Sequence, residues 1–132
     1  PLRDFYGRSE DILKGPIRDT VEIFRSLKET QAYRFYALSN WSAENFHVAL
    51  DRFEFLHWFD GRLISGEEKM AKPNPAFFKL LETRYDVIPQ NTVYIDDNFR
   101  NYKAAEALGF LAIHFISPEQ LKGELGRYSI EI

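Results

Sequence analysis

Apolar positions in this chain follow two periods, and the alternation between them predicts the architecture. Ile17, Val21, Phe24 and Leu27 recur at helical spacing, which predicts an amphipathic helix. It is expected to start near Asp19, after a break at Gly15-Pro16, with Asp19-Thr20-Val21-Glu22 as a candidate capping box. Phe35-Tyr36-Ala37-Leu38 is a short apolar run without alternation that stops at Ser39-Asn40. Such a run reads as a strand buried on both faces of a parallel sheet. Ser42 has the chemistry to cap the next helix, with Phe46, Leu50 and Phe53 on one face. The aromatic stretch 53–59 reads as core, and Asp60-Gly61 as a turn before a short strand at 62–65.

The second half repeats the alternation. Residues 67–74 read as polar loop, and Asn74-Pro75 opens a helix carrying Phe77, Phe78, Leu81 and Tyr85. Thr92–Ile95 reads as a second buried strand ending at Asp96-Asp97. A helix over 98–108 follows, with Tyr102, Ala105 and Leu108 inward and Gly109 at its end. Residues 111–116 read as a third strand, and Ser117-Pro118 starts a last helix. Strands alternating with helices imply an α/β fold with a parallel sheet.

Composition narrows the class without naming it. At 132 residues with 45% apolar content the chain is one globular domain's worth of protein, not a disordered segment. The net charge of −3 comes from interspersed acids and bases, so there is no basic run of the kind that binds nucleic acid. No apolar stretch reaches the length of a membrane span. The absence of cysteine excludes disulfides and thiolate metal sites and fits a cytoplasmic setting.

Candidate chemistry sits where strands end. In open α/β sheets ligands bind outside the carboxyl ends of strands, so Ser39-Asn40 and Asp96-Asp97 are expected on one rim. Lys72, on a loop stiffened by Pro73 and Pro75, lies between them in sequence. A hydroxyl, an ammonium and paired carboxylates suit phosphoryl transfer, which needs donors to phosphate oxygens, a fixed cation and usually Mg2+. One carboxylate could hold Lys72 and the other the metal. His47, His57 and His114 share no ligand spacing and read as surface or satisfied core. Trp41 reads as either a substrate contact or packing. Lys69 competes with Lys72 as the site lysine, though spacing to Pro73 and Phe77 favours Lys72.

Three segments together resemble the haloacid dehalogenase superfamily. Phe35–Ser42 resembles its motif II, Glu68–Pro75 followed by Phe77-Phe78 its motif III, and Val93–Asn101 with Ala104-Ala105 and Leu108-Gly109 its motif IV. The order is that of the subfamily with a small helical cap. The resemblance implies a Rossmann-like three-layer fold. It implies that Ser39 and Asn40 bind the transferring phosphoryl group, that Lys72 neutralises its charge, that Asp96 orients Lys72, that Asp97 binds Mg2+, and that Asn101 steadies the site from behind. The activity implied is a Mg2+-dependent phosphatase of small phosphomonoesters such as sugar phosphates, acting through an aspartyl-phosphate. The alternatives are a 2-haloacid dehalogenase, against which the Asp96-Asp97 pair argues, and a non-catalytic binding module.

One motif of the family has no counterpart. No Asp-x-Asp follows an apolar run, and Asp4 follows no strand. The chain is therefore expected to be a C-terminal part of such an enzyme: residues 1–14 the end of the helical cap or its return linker, and 15–132 the rest of the core domain. The core strand of motif I and most of the cap are expected to be missing, and this portion by itself to be inactive. In the family that strand lies between those of motifs II and IV. Two strand edges should then face an open slot, filled by the missing N-terminal segment or by a swapped copy.

Overall fold

A computed structural model describes residues 15–130, with side chains from residue 18. The expectation for residues 1–14 lies outside the described residues. Helix α1 spans Gly15–Glu29. Gly15-Pro16 opens this helix and does not break it, so Asp19 lies inside α1 and forms no capping box. Proline is tolerated in the first turn because its missing N–H has no helical partner there. Ile23, Phe24 and Leu27 are the buried stripe of α1.

Four short strands follow: β1 Tyr36–Ser39, β2 Gly61–Ile64, β3 Val93–Asp96 and β4 Leu111–His114. Between β1 and β2 lie α2, Ala43–Arg52, and a 3-10 turn over Glu54–Trp58. Between β2 and β3 lie the single turn α3, Ser65–Glu68, and α4, Pro75–Tyr85. Helix α5, Phe99–Ala107, joins β3 to β4, and α6, Pro118–Arg127, ends the described chain. Three of the capping side chains are those expected, and Asn98, expected as the first residue of its helix, is a fourth. Ser42 accepts from the Asn45 N–H, Asn74 from Ala76, Asn98 from Asn101 and Ser117 from Gln120. Gly109 has φ +96°, a left-handed value that ends α5 at little cost only with glycine.

The strands form two separate two-stranded parallel sheets, β1–β2 and β3–β4. Among the described residues β1 and β3 share no ladder. Yet both sheets are sandwiched by the same two apolar layers. One layer joins Phe35 and Ile64 to Val93, Ile95 and Ile113 beneath α1, α2 and α6. The other joins Tyr36, Leu38 and Leu63 to Tyr94 beneath α4 and α5. All four residues of β1 and all four of β3 are buried. This is the α/β arrangement with parallel strands that the sequence pattern predicts and the three-layer form that the resemblance implies, its strands here in two separate pairs.

Candidate functional site

The carboxyl ends of β1 and β3 are tied together by one chain of hydrogen bonds. Asn40 follows β1 and clamps the main chain of Lys72: its Oδ1 accepts from the Lys72 N–H at 2.8 Å, and its Nδ2 donates to the Lys72 carbonyl at 3.0 Å. The Lys72 ammonium then donates to Asp96 Oδ2 at 2.9 Å. Both side chains of that pair are buried, at 0% and 2% exposure. Asp96 accepts two further bonds, from the Tyr94 hydroxyl to Oδ2 and from the Asn98 N–H to Oδ1 at 2.9 Å. A buried carboxylate is tolerated only when its lone pairs are satisfied, and these are. The Lys72–Pro73 peptide is cis.

The α3 turn that leads into the Lys72 loop is held from two sides. Arg84 on α4 makes a two-pronged ion pair with Glu68 at 2.7 and 3.0 Å, closing the loop across its base. The hydrogen bond from Arg84 holds the Glu68 carboxyl below its usual pKa. On the other side Gly66 packs against the start of α2, where an added Cβ would lie 2.3 Å from the Ala43 nitrogen. Lys69, by contrast, is exposed at the end of α3 with φ 58°, so the two lysines that the sequence left in competition are separated by burial.

Ser39, the last residue of β1, is 2% exposed. Among the described residues its Oγ is the buried side-chain polar atom without a hydrogen-bond partner. A buried hydroxyl left unpaired carries a desolvation cost of ~1–3 kcal/mol, and a ligand oxygen would remove it. Asp97 stands on the exposed rim beyond β3. Its pKa is raised, first by partial loss of hydration on its protein side and then by the charge of Asp96 and a hydrogen bond with it. Its own backbone N–H and the charge of Lys72 act the other way. Asn101 is buried in the first turn of α5, its N–H bonded to the cap Asn98.

A partly hydrated hard cation would find one carboxylate at this rim, not a closed cage. Asp96 is committed to Lys72, Tyr94 and the Asn98 N–H, which leaves Asp97 as the available carboxylate. Among the described residues no group of three or more His, Cys, Asp or Glu could hold a metal ion. Mg2+ commonly keeps several waters and takes one or two carboxylates plus substrate phosphate, so one free carboxylate fits.

The remaining candidates fall elsewhere. Trp41 is 7% exposed and packs edge-on against Phe46 at 5.7 Å, in the layer beneath α2. His47 is exposed, and His57 bonds the Leu50 carbonyl at 2.8 Å. Within the stretch 53–59, Phe55 and Leu56 are core. His114 is different: its Nε2 lies 3.0 Å from the Asp97 carbonyl, which can only accept, so Nε2 carries the proton. Sequence reading passed over this contact because Asp97 and His114 are 17 residues apart and meet only through the β3–β4 register. No described helix is long and apolar enough to cross a membrane.

A family model described as haloacid dehalogenase-like hydrolase matches residues 3–109. The chain is 30% identical over 94 residues to a sesquiterpene phosphatase of Aspergillus oryzae, covering 71% of this chain and 47% of that protein. It is also 30% identical over 92 residues to a drimenol cyclase of Aspergillus calidoustus, covering 70% of this chain and 17% of that protein. The chain thus spans less than half the length of these curated relatives. Among solved structures, an enzyme of the same family from Bacteroides thetaiotaomicron, in complex with magnesium and inorganic phosphate, superposes with a TM-score of 0.65. It is 29% identical, over 74% of this chain and 53% of that one.

Proposed function

This chain belongs to the haloacid dehalogenase-like hydrolases, and from that premise we propose that it forms the phosphate-binding part of a Mg2+-dependent phosphomonoesterase. The observation that carries the reading is the Ser39 Oγ. It is a buried donor without a partner, at the same rim as a buried ammonium and an exposed carboxylate. In this reading Ser39 donates to one phosphoryl oxygen. Asn40, whose side chain is taken by Lys72, offers its backbone N–H. The Lys72 ammonium, fixed by Asp96, neutralises charge on the phosphoryl group as it transfers. Asp97 holds Mg2+, which would screen the phosphate from the carboxylates, and Asn101 braces the first turn of α5 behind it. The relatives that are phosphatases or bind phosphate support this class of substrate.

The nucleophile in this reading is an aspartate brought by a strand from outside the described residues, entering between β1 and β3. The edges there are suited to receive it. The Thr92 and Asp96 carbonyls accept from β4, at Leu111 and Phe115. By strand alternation the backbone groups of Val93 and Ile95 face the opposite edge, toward β1. Both residues are buried, and buried backbone groups require partners. A cavity of about 410 Å³ also opens between the starts of the two sheets, lined by Arg34, Tyr36, Thr92 and Val93. A strand of the same polypeptide or of a swapped copy would fill this slot, and the portion described here would be inactive without it. A cytoplasmic setting belongs to the same reading.

The test is phosphate release from a panel of phosphomonoesters, including sugar and prenyl phosphates, by the intact polypeptide that carries these residues. Release that needs Mg2+ and is lost in Lys72→Ala, Asp97→Ala and Ser39→Ala is expected. Release indifferent to metal or to these substitutions would overturn the proposal.

A further inference from the structure

Outward from Asp97 the rim carries an aromatic platform that the phosphate chemistry does not use. The His114 ring stacks on Tyr102, with centroids 5.4 Å apart and planes 28° from parallel. Phe99 meets His114 edge-on at 5.5 Å and Tyr102 at 5.8 Å. The Tyr102 hydroxyl donates to Glu106 at 3.4 Å, and Gln120 ties the main chain on either side of Phe115, so the stack is braced from below. What faces solvent is apolar: Phe99 is 58% exposed, and Ile116, two residues beyond His114, is 72% exposed. An apolar surface exposed beside a polar site can mark a contact site.

The platform is continuous with the site. His114 donates Nε2–H to the Asp97 carbonyl, and it pairs with Asp96 in the β3–β4 register. Its backbone therefore lies one strand spacing, ~4.8 Å, from that of Asp96. A phosphate held at Ser39, Lys72 and Asp97 would share its rim with this surface through the His114–Asp97 contact. Phe99 and Ile116 offer no hydrogen bond to a polyhydroxy alcohol, but they would bury hydrocarbon. We infer that Phe99, with the Tyr102–His114 stack and Ile116, is the docking surface for an apolar alcohol moiety, so the preferred substrates are hydrocarbon phosphomonoesters, not sugar phosphates. This assignment rests on the phosphatase reading above and adds a specificity surface to it.

The experiment compares kcat/KM of the intact polypeptide for farnesyl phosphate and for glucose 1-phosphate, in the wild type, Phe99→Ala, Phe99→Leu and Ile116→Lys. Losing one apolar contact shifts discrimination by roughly 10-fold or more. The farnesyl-to-glucose ratio should therefore fall about tenfold in Phe99→Ala and Ile116→Lys, mainly through KM, and Phe99→Leu should restore most of it. An unchanged ratio overturns the assignment. So does an equal loss for both substrates, which would mean that Phe99 contacts a lid or another part of the polypeptide. Calorimetric binding of farnesyl phosphate keeps the two readings separable. If no phosphomonoester is turned over, the phosphatase reading fails. The platform then stands only if Phe99→Ala still weakens farnesyl phosphate binding about tenfold, and it falls if binding is absent or unchanged.

Discussion

Replacing Lys72 with alanine isolates the energetics of the site from its catalysis. In the native chain the ammonium is buried and bonded to Asp96 at 2.9 Å. The substitution leaves a buried carboxylate without its cation. Breaking such a pair from one side costs ~3–5 kcal/mol. Asp96 keeps the Tyr94 hydroxyl and the Asn98 N–H, so the low end, about 3 kcal/mol, is expected. For a urea slope of about 2 kcal/mol/M this moves the unfolding midpoint down by roughly 1.5 M. Trp41 and Trp58 both pack in the core and report the transition by fluorescence. The double variant Lys72→Met/Asp96→Asn removes both charges and should recover much of the loss. A Lys72→Ala midpoint within 0.3 M of wild type (about 0.6 kcal/mol), or no recovery in the double variant, would refute the argument that Asp96 depends on this lysine.

Three other substitutions separate stability from function. Ser39→Ala removes a buried hydroxyl that has no partner among the described residues, so it should not lower the urea midpoint, while under the phosphatase reading it abolishes phosphate release by the intact polypeptide. Gly66→Ala would drive a Cβ to 2.3 Å from the Ala43 nitrogen and 2.9 Å from Ser42, and should destabilise by ~1–3 kcal/mol or more because backbone must move; a neutral thermal shift would show that the α2 start yields freely. Asp97 has a raised pKa, so the folded state binds more protons than the unfolded state in that window, and stability falls as pH rises through it. Asp97→Asn should therefore raise the melting temperature at neutral pH, in the absence of metal, and lose that gain below the ordinary carboxylate pKa. A gain that persists at pH 3 would point to something other than charge.

Local periodicity and end chemistry are written in the sequence, and they determined most of the elements. The β1 and β3 runs are apolar without alternation, as strands covered on both faces must be, and Ser42, Asn74 and Ser117 cap where side-chain oxygens precede apolar helical spacing. The boundary of α1 is not local information: Gly15-Pro16 can end one helix or begin another, and packing of Ile23, Phe24 and Leu27 decides. The site was legible as a set of residue types at strand ends, since the topology of parallel sheets puts those ends on one rim. Spacing favours Lys72 over Lys69, but the burial of Lys72 is not written locally, because the Asn40 clamp on its main chain comes from 32 residues away. Nor is the His114–Asp97 contact or the aromatic platform, which exist only through the register of β4 on β3. Sequence fixes what each segment prefers by itself. Contacts between segments depend on how the strands align, and that alignment is settled by burying both apolar layers at once.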